Sequence, residues 1–525
     1  MTSTDITSNE DESRHVDESS PLLQNGVEVA GDVPVSSEPP HAIPLKHKRR
    51  IIVLLCAFAF TMMLGDNLQP AALVQVFEDV ICDDYYKTNS LPPSSNGTLP
   101  NPCKAQPIQK ELALVRGFQQ LVPIFPSLLC TVPYGLLAER IGRKRVLIMS
   151  GAGVFSALSW VLAVCYWRFA SIRWALLSGA FLFLGGGDAV ISTILHVMVT
   201  DTADDAERAQ IFLYLHAADV ISGFFGPAIS GPLMEKGHTW TVLLLSAGTL
   251  FSGAFLLTIF IPETLNLRKR STGHSALLSD SSSPQTTDSP RSESLMPTKL
   301  SNSIVGEVSN LLSPLLGVLS SNRQALLLLL IFSPQTGARE LFTLIGLQYT
   351  NAKFSLSYAR GNVLLSLFQG AQGLFVLAIL PLITRLIADK QGWSAWARDR
   401  FYAIVSIAST ASGLMVIGVA PALVIEALGL LLVAVGSCST GLLMSLLGGA
   451  VRPSEVSAVY SAAHMLSIVV RSVIGPVLSA LLVKGLELGW SWMGLPFVTM
   501  ALFMAGAAVA SSFIRAERVT EFDSE

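Results

Sequence analysis

The sequence predicts an all-α integral membrane protein with twelve transmembrane helices in two six-helix bundles. Three observations predict this fold class. The 525 residues are 51% hydrophobic and only 14% charged, which is more apolar surface than one water-soluble core buries. Apolar runs of about 20 residues, the length that a helix needs to cross a bilayer, recur in two sets of six. Clusters of Lys and Arg fall on alternate connections, as the positive-inside rule requires.

Each predicted span is an apolar run bounded by charged residues, Pro or Gly. The first six spans are 51–75, 112–137, 146–167, 173–199, 209–234 and 240–262. The second six are 325–350, 361–385, 401–420, 422–449, 456–482 and 489–514. These spans divide the chain into an N-terminal tail (1–45), an N-terminal six-helix bundle (46–263), a linker (264–322), a C-terminal six-helix bundle (323–515) and a C-terminal tail (516–525).

The N-terminal tail and the linker are too polar to bury a core. Residues Met1 to Pro44 are acidic and rich in Ser, without the apolar segment of a cleavable signal. The linker is rich in Ser, Thr, Pro and charge. Both are predicted to be disordered and cytosolic, with both termini on that side. The basic clusters all fall on the predicted cytosolic side: Lys46 to Arg50, Arg140 to Arg145, Arg268 to Arg270, Arg385 to Arg400, and Arg515 with Arg518.

The first connection on the opposite side, Glu78 to Lys110, contains Cys82, Cys103 and the sequon Asn96-Gly97-Thr98. A sequon is used only on a lumenal or extracellular face, and an oxidising compartment favours a disulfide between the two cysteines. The other four cysteines lie within predicted spans. The sequence therefore predicts a Cys82–Cys103 disulfide and N-glycosylation at Asn96. The alternative is two free thiols and an unused sequon.

An internal repeat relates the two sets of spans. Three residues recur at a constant separation of 248 positions: Glu207, His216 and Lys236 as Glu455, His464 and Lys484. Gly226-Pro227 recurs as Gly475-Pro476, one place out of register. Several matches around one helix, at the separation expected between a fifth and an eleventh span, indicate a duplicated six-helix unit.

The sharpest motif runs from Gly135 to Arg145, between the second and third spans. It resembles the signature of the major facilitator superfamily, Gly-x-x-x-Asp-Arg/Lys-x-Gly-Arg/Lys-Arg/Lys, with Glu139 in place of the usual Asp. Gly135 is expected to permit close helix approach and Gly142 a tight turn. Four basic residues hold the loop at the cytosolic face: Arg140, Arg143, Lys144 and Arg145. A merely basic loop would explain these four residues but not the glycines and the acid.

The resemblance implies a secondary transporter that works by alternating access. In that family the first, fourth, seventh and tenth helices line a central cavity, the second, fifth, eighth and eleventh flank it, and the acid of the motif joins a cytosolic charge network. This implies such a role for Glu139. Charge is costly within a bilayer, so ionisable residues inside spans are functional candidates. They fall on lining and flanking helices: Asp66, Asp188, His216, Asp219, Arg339, Glu340, His464 and Arg471.

Three of these carboxylates are predicted proton sites: Asp66, Asp188 and Asp219. A carboxylate near a cation changes its protonation as access alternates. His216 shares a helix face with Asp219, and histidine titrates near neutral pH. His464 and Arg471 form a second pair on one helix face. The alternative for each residue is a salt bridge that holds helices together.

Four residues are predicted to contact solute: Asn67, Gln69, Arg339 and Arg471. The two arginines, with Glu340 beside Arg339, are placed to receive an anionic group. The two amides lie in the first span just before Pro70. The alternative for the amides is structural, with Pro70 kinking the helix and Asn67 satisfying the backbone groups that the kink frees.

A second, weaker motif lies in the fifth span, from Gly223 to Pro232, and contains Gly226, Pro227 and Gly231. It resembles a motif of drug:proton antiporters in which Gly and Pro bend the helix and let its neighbour pack closely. That resemblance favours export of drugs or secondary metabolites, as in fungal members. The long first outer loop resembles instead the proton-coupled folate transporter group, which favours proton-coupled uptake or vacuolar symport.

The sequence lacks the motifs of ATP-driven and hydrolytic proteins. It has no Gly-x-x-x-x-Gly-Lys-Ser/Thr loop, no His-Glu-x-x-His, no metal-spaced Cys/His cluster and no Gly-x-Ser-x-Gly elbow. A net charge of -3 gives no reason to expect nucleic acid. We therefore predict a non-enzymatic transporter without cofactor or metal, whose partners are a small organic solute, protons and the lipid bilayer. A non-transporting membrane sensor is the remaining alternative.

Two further expectations concern assembly and location. The family resemblance implies a protein that functions as a monomer. The stretch Glu18 to Leu23 fits an acidic dileucine sorting pattern, which adds a vacuolar or lysosome-like membrane to the plasma membrane as a destination.

Overall fold

The computed structural model describes residues 45–89, 102–202, 205–265, 322–384, 386, 395–451 and 456–514. Within these ranges the chain is helical apart from short connections. Each predicted span coincides with one helical stretch. We number the stretches α1 to α12 and write a and b for the two parts of an interrupted one.

The N-terminal half contains α1 to α6. Their bounds are Leu45–Asn67 (α1a), Pro70–Thr88 (α1b), Gln106–Leu121 (α2a), Ile124–Ile141 (α2b), Arg143–Trp167 (α3), Ile172–Leu177 with Ser178–Phe181 (α4a), Gly187–Thr202 (α4b), Asp205–Glu235 (α5), Thr239–Phe251 (α6a) and Thr258–Phe260 (α6b). The π-helical turn Ser252–Leu257 joins the two parts of α6.

The C-terminal half contains α7 to α12. Their bounds are Arg323–Leu341 (α7a), Leu347–Phe354 (α7b), Tyr358–Leu374 (α8a), Leu380–Ile383 (α8b), Ala395–Val419 (α9), Leu423–Val435 (α10a), Ser439–Gly449 (α10b), Val456–Leu488 (α11) and Leu495–Ser512 (α12). The π-helical turns Phe342–Gly346 and Phe375–Ile379 lie within α7 and α8.

The all-helical membrane fold agrees with the prediction. Among the residues that the structure describes, nine stretches are long and apolar enough to cross a membrane: α1, α2, α3, α6, α8, α9, α10, α11 and α12. In the other three, glycines interrupt α4, and charged residues lie within α5 and α7.

The end of the first span was predicted wrongly. The prediction placed it at residue 75, with an outer loop from Glu78, whereas α1b remains helical to Thr88. The candidate span Lys46–Thr88 has 43 residues, about 65 Å of helix against about 30 Å of bilayer hydrocarbon. The four acidic residues in α1b suggested a loop because charge cannot enter lipid, but a helix that projects beyond the bilayer can carry charge.

The two ends of the helical bundle differ in chemistry. At one end, which we call the disulfide end, Cys82 of α1b is bonded to Cys103 before α2, as predicted. At the other, the turn end, Gly142 forms the turn between α2b and α3. Four tryptophans at the disulfide end are about half or more exposed: Trp167, Trp174, Trp490 and Trp492. Tryptophan collects at membrane–water interfaces, so these rings indicate where one bilayer surface meets the protein.

Two seams join the halves, with α2 against α11 and α5 against α8. Glycines bring the backbones together: a Cβ on Gly117 of α2 would lie 2.6 Å from Ser479 Oγ of α11, and one on Gly231 of α5 would lie 3.0 Å from the carbonyl oxygen of Ala359 in α8. Polar contacts among the described residues cross between the halves toward the disulfide end and include Gln106–Leu486, Lys110–Glu487, Gln109–Gln348, Glu78–Tyr358, Glu235–Arg360 and Ser230–Asn362.

Gly226 packs α5 against the break in α1. A Cβ at Gly226 would lie 2.7 Å from Asn67 Cβ and 2.8 Å from the backbone carbonyl carbon of Asn67. Neither atom is the free end of a flexible side chain. The following residue, Pro227, accepts a long hydrogen bond from Asn362 Nδ2 of α8, at 3.5 Å. The predicted motif of α5 therefore lies where three helices meet.

We expect Gly226→Ala to lower the apparent melting temperature of the purified protein in detergent. The added methyl group forces α1 and α5 apart, and overpacking costs typically about 1–3 kcal/mol. Gly248→Ala in α6 is the matched control, because no described atom lies within 4 Å of its Cβ position. Equal melting temperatures for the two variants would contradict the close contact.

Candidate functional site

A break in α4 places a carboxylate at the middle of the bundle. Gly185, Gly186 and Gly187 have φ values of +94°, +80° and +65°, a region that residues with a side chain rarely adopt. They separate α4a from α4b, so that a new helix begins at Gly187 with Asp188 in its first turn. The positive end of the helix dipole at that point favours a negative charge.

Asp188 in one half and Arg471 of α11 in the other lie within range of each other's charge. The two side chains interact electrostatically. Asp188 retains exposed surface although it lies deep among the helices, which indicates an accessible space within the bundle. From the turn end, Asp188 is 14 residues from the end of α4b and Arg471 is 15 residues from the start of α11. Both therefore lie at a depth of about 21–23 Å along their helices.

A second charged pair, Asp66 with Arg116, joins α1a to α2a. Arg116 is 6% exposed, and its guanidinium donates to Gln119 Oε1 at 2.8 Å. Its Nε has no hydrogen-bond partner among the described protein atoms. Arg116 was not among the predicted site residues, because it lies near the beginning of an apolar run, where a charge is expected to reach the membrane surface.

The amides of Asn67 and Gln69 bond to backbone at the α1 break. Asn67 Nδ2 donates to the carbonyl oxygen of Met63 at 2.9 Å and to Ser222 Oγ of α5 at 3.3 Å. Gln69 Nε2 donates to the carbonyl oxygen of Gly65 at 3.1 Å. The Gly65 carbonyl lacks its helical donor because the Gln69 N–H bonds to the carbonyl oxygen of Asp66, and the Gln69 amide satisfies it. Bonds of this kind within the protein support a structural role for both amides.

The remaining predicted site residues are only partly described. In α5, His216 is exposed and Asp219 is half-buried, and Ser222 Oγ donates to the carbonyl oxygen of Asp219 at 2.8 Å. Three side chains lie outside the described residues, although their backbones are helical: Arg339, Glu340 and His464. Asn96 also lies outside the described ranges.

A polar network joins the helices of the N-terminal half at the turn end. Gly142 has φ +106°, and Glu263 from the end of α6 occupies the place where its Cβ would stand. Glu263 accepts hydrogen bonds from the backbone N–H groups of Arg143 and Lys144 at 2.9 and 3.2 Å. The carboxylate therefore caps the first turn of α3, where N–H groups lack helical partners.

The buried acid of this network is Asp201 at the end of α4b. The side chains of Arg143 and Asp201 are each 3% exposed, with Nε to Oδ2 at 3.5 Å, and Thr264 Oγ1 donates to the same carboxylate at 3.3 Å. Glu139, the predicted network acid, is 55% exposed and lies 3.8 Å from the Arg143 guanidinium. Glu139 therefore lies beside Arg143 at the exposed edge of the network, and the buried acid, Asp201, was not among the predicted residues.

Gly135 and the basic residues of the motif complete its description. Around Gly135 no described atom lies within 4 Å of a Cβ position, so the expected close helix approach is absent there. Arg140 and Arg145 are exposed beside the turn, whereas Lys144 Nζ donates to the carbonyl oxygen of Ile259 at 2.7 Å. Of the four basic residues of the motif, Arg143 alone is buried.

A cavity of about 480 Å³ lies on the seam between α5 and α8, away from the charged pairs. Its lining is apolar: Val220, Ile221, Phe224, Phe225, Leu367, Gly370, Ala371, Gly373 and Leu374. A charged pair between halves offers more chemistry for binding and coupling than this hydrocarbon surface. The described residues contain no group of three or more His, Cys, Asp or Glu placed to hold a metal ion.

Comparison with known proteins agrees with the helical architecture. Residues 100–470 match the family model described as Major Facilitator Superfamily. The chain is 28% identical over 502 residues to the MFS efflux pump atnC of Emericella nidulans, covering 93% of each chain. It is 25% identical to the MFS-type transporter avaK of Aspergillus versicolor, over 89% of this chain and 91% of that one. The crystal structure of the human organic anion transporter TETRAN superposes with a TM-score of 0.51 at 16% identity, covering 88% of this chain and 99% of that chain.

We expect Asp201→Ala to destabilise the protein far more than Glu139→Ala. Removing Asp201 leaves the buried Arg143 guanidinium without its carboxylate, a loss of about 3–5 kcal/mol for a buried pair, whereas Glu139 is exposed and holds a weak contact. Apparent melting temperatures in detergent check this. A larger fall in melting temperature for Glu139→Ala than for Asp201→Ala would contradict this expectation and make Glu139 the main acid of the network.

Proposed function

Because the chain belongs to the Major Facilitator Superfamily, we propose that it exports a small organic solute across a membrane in exchange for protons. The chain is a multi-pass membrane protein of a family of non-enzymatic transporters that bind small molecules. Direction, coupling ion and membrane are proposals. The observation that carries the coupling proposal is the Asp188–Arg471 pair between the two halves.

Export is supported by a relative that is named an efflux pump. The MFS efflux pump atnC aligns with 93% of this chain. The Gly-Pro motif of α5, which resembles that of antiporters, contacts α8 at the seam between the halves. Proton-coupled uptake or vacuolar symport, suggested by the length of the first outer loop, predicts the opposite direction of solute movement, so a flux experiment separates them.

Coupling follows from the chemistry of the interhalf pair. When Asp188 is ionised, its carboxylate accepts hydrogen bonds from the solute while the neighbouring Arg471 guanidinium donates to the acceptors of the solute. Protonation of Asp188 removes the negative charge that binds the solute, so the solute leaves on the side where Asp188 takes up a proton. Solute binds again on the side where Asp188 loses that proton. One carboxylate thus binds either a proton or a solute, as exchange requires.

Alternating access requires the halves 46–263 and 323–515 to move against each other about this site. The polar contacts between the halves lie toward the disulfide end, which supports a state closed there and accessible from the turn end. We propose that the turn end faces the cytosol, with the linker 264–322 and both termini, in a plasma or vacuolar membrane. A monomer suffices, because both residues of the pair belong to one chain.

The second charged pair and the α5 residues have supporting roles in this scheme. Asp66 and Arg116 join α1a to α2a within one half, so their interaction persists while the halves move. Asp219 and His216 lie on α5, whose seam with α8 must loosen at one end during each cycle. We propose Asp66 and Asp219 as secondary proton sites and Asp188 as the one that responds to solute.

We expect solute flux in sealed proteoliposomes to depend on an imposed pH gradient and to collapse with a protonophore. The probes are fluorescent aromatic solutes in matched neutral, cationic and anionic forms, and cationic forms should be the best substrates because the ionised Asp188 is the proposed receptor. Flux that is indifferent to the gradient would refute proton exchange. No flux of any probe in protein of normal melting temperature would favour the non-transporting sensor.

We expect Asp188→Asn to abolish gradient-driven flux while solute exchange at equal pH continues. The amide keeps the shape of the side chain but cannot release a proton. Asp84→Asn is the matched control, since Asp84 is partly exposed and pairs with Lys87 on the same helix at 2.9 Å. Normal gradient dependence in Asp188→Asn would remove Asp188 from the coupling mechanism.

A further inference from the structure

Glu78 is a buried acid at the disulfide end that the transport mechanism leaves unused. It lies on α1b, beyond the predicted first span, and is 4% exposed. Two partners satisfy its carboxylate: the ammonium of Lys104 and the hydroxyl of Tyr358. A buried carboxylate needs such partners, because an uncompensated charge away from water is strongly unfavourable.

The disulfide positions the first partner. Lys104 directly follows Cys103, which is bonded to Cys82 one helical turn beyond Glu78. Lys104 Nζ also lies 4.7 Å from the centre of the Tyr358 ring, a cation–π distance. Gln109 Nε2 donates to the carbonyl oxygen of Cys103 at 3.1 Å. The short segment around Cys103 is thereby held over Glu78 from two sides.

The second partner belongs to the other half of the protein. Tyr358 is the first residue of α8a and is 5% exposed, so its bond to Glu78 spans the junction between the N-terminal and C-terminal halves. Gln109 continues this connection, because its carbonyl oxygen and Oε1 accept from Gln348 Nε2 of α7b at 2.7 and 3.1 Å. Both glutamines are 2% exposed.

We propose that Glu78, Lys104 and Tyr358, held in register by the Cys82–Cys103 disulfide, form a latch that keeps the disulfide end closed. Opening that end separates α1b from α8a and breaks the Tyr358 bond and the cation–π contact together. The Glu78–Lys104 pair stays intact, since both belong to the N-terminal half. The carboxylate therefore remains neutralised in the open state, and the latch can close again without rebuilding an ion pair.

The competing interpretation is a brace within the N-terminal half only. A brace would hold α1b to the segment before α2 and leave the balance between closed and open states unchanged. The two interpretations differ in the effect of Tyr358, because its hydroxyl contributes nothing to a brace between two segments of the N-terminal half.

The test measures the distance between two spin labels at the disulfide end, one in each half, by double electron–electron resonance in nanodiscs. Spin labels are placed at Ser171, in the connection before α4, and at Leu488, the last residue of α11; both are exposed and neither belongs to the latch. The background carries Ala in place of the four free cysteines: Cys56, Cys130, Cys165 and Cys438. The disulfide is kept.

Lys104→Met and Tyr358→Phe should each raise the ratio of long to short distances by about five-fold, the lower end of usual coupling between sites. The Cys82→Ala, Cys103→Ala double variant should do the same, because Lys104 is then no longer held over Glu78. Lys87→Met is the control. It removes a lysine from α1b, the helix that carries Glu78, but Lys87 pairs with Asp84 within that helix.

Distance distributions of Lys104→Met and Tyr358→Phe that match the Lys87→Met control would overturn the latch. A response to Lys104→Met without one to Tyr358→Phe would also overturn it, in favour of the brace. If the cysteine double variant does not fold, the two single variants with an intact disulfide still decide. The measurement uses no solute and no pH gradient, so its outcome is independent of proton coupling at Asp188.

Discussion

The structure depends on the requirement that charge and free backbone groups inside a membrane find partners within the protein. Two departures from a plain apolar helix show how this requirement is met locally. The break at Gly185 to Gly187 leaves a helix start that receives Asp188, and Asp188 in turn receives Arg471. At the break in α1, backbone carbonyls accept hydrogen bonds from the amides of Asn67 and Gln69. Satisfying these groups fixes where helices can be interrupted and which helices must stay adjacent.

The distribution of polar contacts separates rigid parts from moving parts. At the turn end, Glu263 and Asp201 tie α3, α4b and α6 together within one half. At the disulfide end, bonds such as Lys110–Glu487 join one half to the other. Contacts of the first kind can persist through a transport cycle, whereas contacts of the second kind must break. Asp188 and Arg471 lie between these ends, where a change in charge acts on the junction itself.

Hydropathy predicted the fold class because a twenty-residue apolar run has few alternatives in a membrane protein. Hydropathy did not predict the helical part of α1b beyond residue 75, since a helix that leaves the bilayer no longer needs to be apolar. The site was predicted in part. Asp188 and Arg471 stood out as charges deep within spans, but their pairing across 283 positions leaves no local pattern. Arg116 and Asp201 lie near span ends, where charge is common, and only packing shows that both are buried.

The break in α1 also makes α1b a rigid lever about a pivot. From Gln69 to Glu78 is nine residues and from Gln69 to Thr88 is nineteen, or about 14 and 29 Å of helix. Tilting α1b by about 10° at the pivot would shift Glu78 by about 2 Å and Thr88 by about 5 Å at those arm lengths. The smaller shift already exceeds the tolerance of a hydrogen bond. Since Asp66 and Asn67 lie at the pivot, a small change of angle beside the Asp66–Arg116 pair is amplified along α1b into a displacement of bond-breaking size at Glu78.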